Sequence, residues 1–327
     1  MAEQQAACHI CEPLAHSGWG DSGSIWPAGG AWPSVPLSDL PRRVAALSHG
    51  LSSRLKVGVG DVVLLAAHNS LHMLEAILAA ADTGAIVGLV NWRWSQQELQ
   101  AALDLALPTI IIVDGNCHEA MAPLLGSAEL VNLGHRTASQ PTNPHAITSE
   151  ELITGSSLDT TRCSSALQLR QGRGGAAVLC FTSGTTGRSK GVLLSHHSLV
   201  AQSHAKLQVV GYSSDDTYLH TAPLFHVGGL SSALACVMAG ASQVFLPKYS
   251  SATALAAIRQ LHVSAFIAVP AMLHDLAQAE AAQRRGPILC VRMLLVGAGT
   301  TTAGLQVRLR LSQSRSLAPE AQGHMSA

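Results

Sequence analysis

Charge is what this sequence has least of. Of its 327 residues only 12% are Asp, Glu, Lys or Arg, and the two signs balance at 20 each. A nucleic-acid-binding surface needs a basic excess, and a disordered chain needs few apolar residues; with 47% hydrophobic residues, both classes are excluded. Long apolar runs are missing too. The longest candidate, 64–81, is broken by His68, Asn69, His72 and Glu75. No window approaches the roughly 18 uninterrupted apolar residues of a transmembrane segment. The 7 Cys are odd in number and widely spaced. No secretory leader precedes them, so free thiols in a reducing compartment are expected. Cys8 and Cys11 in "CHIC" have metal-ligand spacing, but no second pair completes a tetrahedral site. No Arg precedes Arg42, unlike a transit peptide, and the terminal "HMSA" is not a peroxisomal tripeptide. No targeting signal is readable.

Periodicity is what the sequence does have. Residues 1–37 hold Gly, Pro, Ser and three Trp without a repeat and read as irregular. From Leu40, the stripe Leu40, Val44, Leu47, Leu51 and Leu55 is that of an amphipathic helix. Apolar strands follow at 62–67, 85–90 and 109–114, separated by a helix over 71–83 and another whose start is a Ser95/Glu98 capping box. This alternation predicts a first α/β subdomain over 38–133. Residues 134–175 turn polar and read as a linker, and the alternation resumes over 176–305 in a second subdomain. There, helices are expected from Ser195, from about Leu230, from a Ser251 cap to His262, and from Pro270 to about Ala282. Strands are expected in 216–229, 242–247, 265–270 and 290–299. The fold class is therefore α/β, with two packed, largely parallel sheets and flanking helices.

One stretch between two apolar runs carries chemistry: "CFTSGTTGRSKGVLLSH", residues 180–196. A Walker loop would need Gly at Ser189 and a helix after Lys190, whereas Val192–Leu194 continue as strand. A GxGxxG turn is absent as well. What remains is a strand–loop–strand lip. Its backbone N–H groups, the hydroxyls of Thr182, Ser183, Thr185 and Thr186, and the Lys190 ammonium can wrap an anion such as phosphate. The pair His196–His197 reads as a helix N-terminus rather than a metal site.

"FTSGTTGRSKGV" resembles the signature loop of the adenylate-forming superfamily, with Ser189 where most members have Pro. The resemblance extends over "NWRWSQQEL" (91–99), "YLHTAPLFHVGGLSSAL" (218–234), "VPAML" (269–273) and "LLVGAGTT" (294–301). It implies the N-terminal domain of that fold, incomplete at the C-terminus, and an acyl-CoA ligase that uses ATP, Mg2+ and CoA on a small carboxylic acid. The carboxylate attacks the α-phosphate to give an acyl-adenylate, and a thiol then displaces AMP. Within the superfamily, "HVGGLSS" and "NWRWS" resemble the plant-type o-succinylbenzoate–CoA ligases of phylloquinone synthesis more than coumarate or fatty-acid ligases, which implies a plastid or peroxisome.

The same resemblance assigns roles. Thr182, Ser183, Gly184, Thr185, Thr186, Gly187 and Lys190 would close over the β- and γ-phosphates. His226 would lie beside the acyl carboxylate, which makes Lys190 and His226 the catalytic candidates. Gly228 and Gly229 would leave room for substrate and Ser231 would bond a polar acyl group. Gly297, Ala298, Gly299 and Thr300 would lie where adenine and acyl group meet. No metal ligand is assigned. After Thr301 the family's Tyr-Gly-x-Thr-Glu segment is not found, and residues 306–327 show neither its motifs nor strand alternation. The alternative reading is a non-catalytic remnant that at most binds nucleotide or a partner chain.

Overall fold

Strands that are apolar at every position must be covered on both faces, and the chain supplies those covers in alternation. The structure, a computed structural model, describes residues 9–15, 23–27, 34–124, 128–134, 147–156, 167–170, 173–182, 190–283 and 288–297. Helix α1 (Glu12–Ala15), strand β1 (Ser24–Pro27) and strand β2 (Val35–Pro36) precede α2 (Leu40–Arg54). Then come β3 (Val62–Ala66), α3 (Leu71–Asp82), β4 (Ile86–Leu89), α4 (Gln96–Ala106) and β5 (Ile110–Val113). They are followed by α5 (His118–Met121), β6 (Glu129–Asn132), β7 (Ile147–Thr148) and α6 (Ser149–Thr154). A hairpin of β8 (Ala176–Thr182) and β9 (Lys190–Ser195) leads into α7 (His196–Val210) and β10 (Thr217–His220). The rest is α8 (Val227–Ala239), β11 (Ser242–Phe245), α9 (Ser251–Gln260), β12 (Ala265–Ala268), α10 (Pro270–Gln283) and β13 (Met293–Val296).

Two sheets result. One is seven-stranded in the order β7-β6-β5-β3-β4-β8-β9, and the other six-stranded in the order β13-β12-β10-β11-β1-β2. All pairings are parallel except β8 with β9 and β1 with β2. Side-chain alternation sorts each strand onto two cores. In β3, Val63 and Leu65 join the central core while Leu64 and Ala66 join the one under α4 and α5. In β11, Phe245 faces the central core and Val244 faces α9 and α10. Helices α2, α3 and α8 thus fill the space between the sheets, and α4 and α9 cover the outer faces.

Helix α3 shows why its sequence sits in the middle layer. "LHMLEAILAAAD" is apolar around nearly its whole circumference, and a helix like that must be buried. Its two buried acids then need partners. Glu75 pairs with Arg43 of α2, and Arg43 also holds Glu150 of α6. Asp82 accepts from Ser48 Oγ at 2.6 Å and from the N–H groups of Gln168 at 3.1 Å and Leu169 at 2.8 Å.

Those partners correct several expectations. The 134–175 stretch is not only a linker: β7 extends the seven-stranded sheet, and Glu150 and the 168–169 backbone are tied to α2 and α3. Residues 1–37 are not irregular throughout, because β1 pairs with β11 and His9 donates through Nε2 to the Arg170 carbonyl at 3.0 Å. The Cys11 thiol in the same segment donates to Leu78 O at 3.1 Å. The boundary at 176 does not divide the sheets, since β8 pairs with β4 in the first of them. Ser250, not Ser251, caps α9, which ends at Gln260 rather than His262. Helix α8 begins at Val227, not near Leu230. The Ser95/Glu98 capping box is present as expected, and the helix expected from Ser195 begins at His196 with Ser195 as its cap. Among the described residues no helix is long and apolar enough to cross a membrane.

Candidate active site

Strand β8 is buried from Ala176 to Cys180 and emerges at Thr182, which is exposed. The chain returns at Lys190, directly opposite Thr182 in the antiparallel register, and continues as strand through Ser195. The hydroxyl-rich loop is therefore carried on the tip of a hairpin, and the helix a Walker loop requires does not follow it. Ser183, Gly184, Thr185, Thr186 and Gly187 lie outside the described residues. Thr182 stands at the carboxyl edge of the sheet, beside the ends of the parallel strands β3 and β4. Open α/β sheets bind their ligands at that edge.

His226 closes the first turn of α8. Its Nδ1 accepts the Gly228 N–H at 3.2 Å, which places the proton of the neutral ring on Nε2 and leaves that nitrogen outside the cap. The ring is exposed, so a histidine that caps a helix can still present a donor to a ligand.

Two neighbours differ from expectation. A Cβ on Gly229 would lie 2.1 Å from the Pro223 carbonyl oxygen, so this glycine serves a backbone-to-backbone approach rather than room for substrate. Gly228 is not confined in that way, its nearest contact being 3.4 Å from the His226 ring. Ser231 is fully buried and its hydroxyl receives Lys206 Nζ at 2.7 Å, so it anchors an amine instead of standing open to a ligand. Gly297 follows β13 and donates its N–H to Ala268 O at 3.1 Å, at the carboxyl edge of the six-stranded sheet. Ala298, Gly299 and Thr300 lie outside the described residues.

A residue that sequence reasoning passed over brings the two carboxyl edges together. Asn69 follows β3 and is buried, although locally it only interrupts an apolar run. Its Nδ2 donates to Ala222 O at 2.9 Å and its Oδ1 accepts Leu224 N–H at 2.8 Å. The loop that ends in His226 is thereby tied to the sheet that carries Thr182. Both ends of the link are main-chain atoms 153 and 155 positions away in sequence, and no local pattern signals them.

Two other groups bring metal-ligand residue types together among the described residues: His68–Asp114–Cys117 and His72–Glu75–Glu150. The second is claimed by Arg43. In the first, Asp114 accepts from His68 Nδ1 at 2.7 Å and from Cys117 N–H at 2.9 Å, bonds that hold its carboxyl below the usual range in spite of burial. Neither group belongs to the hairpin or to the His226 loop, and neither is assigned to Mg2+.

The family model for AMP-binding enzymes matches residues 31–315. The chain belongs to the AMP-binding enzyme family. It is 39% identical over 269 residues to the chloroplastic/peroxisomal 2-succinylbenzoate–CoA ligase of Arabidopsis thaliana, covering 80% of this chain and 47% of that one. The 2-succinylbenzoate–CoA ligase of Bacillus cereus is 28% identical over 267 residues, or 81% and 49% of the two chains. This member of the family thus spans about half the length of the curated relatives it matches. Among solved structures, a long-chain-fatty-acid–CoA ligase from Archaeoglobus fulgidus superposes with a TM-score of 0.78 at 20% identity, covering 92% of this chain and 59% of that one. ATP-bound MatB from Rhodopseudomonas palustris gives 0.74 at 22% identity, covering 92% and 57%. These likenesses establish the fold, an α/β arrangement of two sheets shared with adenylate-forming enzymes.

Proposed function

We propose that the chain forms the nucleotide- and acyl-binding part of an ATP-dependent acid–CoA ligase, with 2-succinylbenzoate (o-succinylbenzoate) as the acid. The observation that carries the reading is the 39% identity to the Arabidopsis ligase over 80% of the chain. The hairpin and the His226 loop, held at adjoining carboxyl edges, are consistent with it.

In this reading the acid's carboxylate oxygen attacks the α-phosphorus of ATP. The bond to the β-phosphate oxygen breaks and pyrophosphate leaves. The CoA thiol then attacks the acyl carbon, loses its proton, and AMP departs. Such transfers need positioning and charge neutralisation more than a protein nucleophile. Lys190 and the hydroxyls and N–H groups of 182–187 supply positive potential at the β/γ end, and Nε2 of His226 donates toward the acyl carboxylate. Gly297–Thr300 border the adenine and acyl group. Bound Mg2+ neutralises phosphate charge. The plastid or peroxisome is the proposed compartment, after the relative's printed location.

The test is pyrophosphate release and CoA-thioester formation by an enzyme of the relatives' full length that carries these residues, with ATP, Mg2+, CoA and 2-succinylbenzoate set against long-chain fatty acids and 4-coumarate. Preference for 2-succinylbenzoate supports the reading. Clear preference for a fatty acid overturns the substrate and leaves the ligase chemistry standing. ATP binding with no turnover favours the non-catalytic alternative.

A further inference from the structure

Beneath α7 and α8 lies a polar cluster that the reaction does not yet use. Lys206 of α7 reaches across to α8, where its Nζ donates to Ser231 Oγ at 2.7 Å and Ser232 Oγ at 2.9 Å. Both serine hydroxyls donate onward to the Gly228 carbonyl. An ammonium has three N–H groups, so one is left over. Among the described residues no carboxylate forms an ion pair with it. Burial lowers the Lys206 pKa to about 8, so the amine is still mostly charged at neutral pH.

The floor of the cluster is equally short of partners. Tyr218, His220 and Gln243 are at most 1% exposed. Tyr212 and Tyr218 meet edge to face at 5.5 Å, and their hydroxyls turn toward each other and toward Ser232 without a hydrogen bond of normal geometry. His220 Nε2 donates to Gln243 Oε1 at 2.9 Å, which leaves the Gln243 amide N–H groups unpartnered. Buried polar groups without partners are expensive, and here they accumulate in one place. The phenolic O–H groups, the amide and the ammonium N–H are donors, and they outnumber the one ring acceptor left unpartnered, His220 Nδ1. Their missing complement is an acceptor carrying negative charge.

We infer that this cluster receives the second carboxylate of a dicarboxylic acyl substrate, with Lys206 as the specificity-determining cation. The inference rests on the ligase reading and adds the residues that recognise the acid's second carboxylate. Its placement agrees: Ser231 and Ser232 lie five and six residues along α8 from His226, about 7.5–9 Å on the helix axis. A substrate whose reacting carboxylate meets His226 can extend its far end to them. A monocarboxylic acid would leave the ammonium uncompensated, which is discrimination by an unpaired charge.

The test is isothermal titration of the 327-residue chain with ATP, with 2-succinylbenzoate, and with 4-oxo-4-phenylbutanoate, the same acid lacking the ring carboxylate. Wild type is expected to bind the diacid at least about tenfold more tightly than the mono-acid, and Lys206→Met to erase that difference while keeping ATP and mono-acid binding. Tyr218→Phe, which removes one oxygen, is expected to weaken only the diacid, and it decides the matter if Lys206→Met does not fold. Discrimination surviving in the variants, or equal loss of both acids with ATP binding intact, overturns the inference alone. Absence of ATP and acid binding in wild type overturns the ligase reading and this one with it.

Discussion

Asn69 Oδ1 accepts the main-chain N–H of Leu224 at 2.8 Å, and this bond joins the end of one sheet to the loop that carries His226 in front of the other. Asn69 also donates to the Ala222 carbonyl, so one side chain satisfies two backbone groups, one buried and one partly buried. Replacing it by Ala leaves both without partners. The expected loss is about 2–4 kcal/mol of unfolding free energy, read as a lower urea midpoint. A loss below about 0.5 kcal/mol, typical of surface positions, would remove Asn69 from this role.

Gly228 and Gly229 should separate sharply. Gly229→Ala drives a methyl group to 2.1 Å from the Pro223 oxygen, whereas at Gly228 the nearest atom is 3.4 Å away. The first is expected to cost about 3 kcal/mol or more through strain. The second should be neutral or stabilising by up to about 1 kcal/mol, because Ala favours helix. Thermal melts of the two variants check the contrast.

Acid should destabilise the protein earlier than carboxylate titration alone requires. Burial lowers the folded-state pKa of His220 to about 3, and burial with the neighbouring His9 lowers that of His196 to about 3. Unfolded histidine titrates near 6.5, so between about 6.5 and 3 the unfolded chain binds more protons and stability falls as pH falls. Each contributes up to about 1.4 kcal/mol per pH unit in that window. Urea midpoints at pH 7 and pH 5 should differ accordingly, and His220→Gln should flatten the slope. A slope unchanged in that variant would show that His220 is not titrating in this way.

The Arg43 triad offers a double test. Arg43 compensates Glu75, which is 1% exposed, and also Glu150. Arg43→Met takes the guanidinium from a buried carboxylate, which keeps its contact with His72 Nδ1 at 3.2 Å, and should cost about 3–5 kcal/mol. Adding Glu75→Gln should recover a large part of that loss. Strict additivity of the two changes would mean that they do not act through each other.

Lys190→Ala should weaken adenylation by roughly a hundredfold to a thousandfold, the usual effect of removing one preorganised charge-stabilising group, in an enzyme of the relatives' full length. The 327-residue polypeptide assayed alone is expected to bind nucleotide and to form little acyl-CoA. It spans 47% of the Arabidopsis relative, and losing several such groups multiplies the loss. Pyrophosphate release measures both.

Local pattern was enough for much of this. The 3.6-residue stripe from Leu40, the wholly apolar strands, the Ser95/Glu98 box and the rejection of a Walker loop all depend on neighbours a few positions apart, and they appear in the structure where the sequence put them. The family was legible for the same reason, since its loop is a contiguous run of residue types. Pairing was not legible. That β8 lies beside β4 rests on contacts such as Val87 with Val178, and that residues 24–27 form a strand rests on β11, more than two hundred positions away. Polar residues were the hardest to place, because an isolated Asn69, Ser231 or Glu150 has the same local signature whether it faces water or closes a buried network. Only the tertiary structure decided which, because hydrogen-bond partners are chosen by proximity in space, and sequence spacing carries that information only within a helix turn or a hairpin.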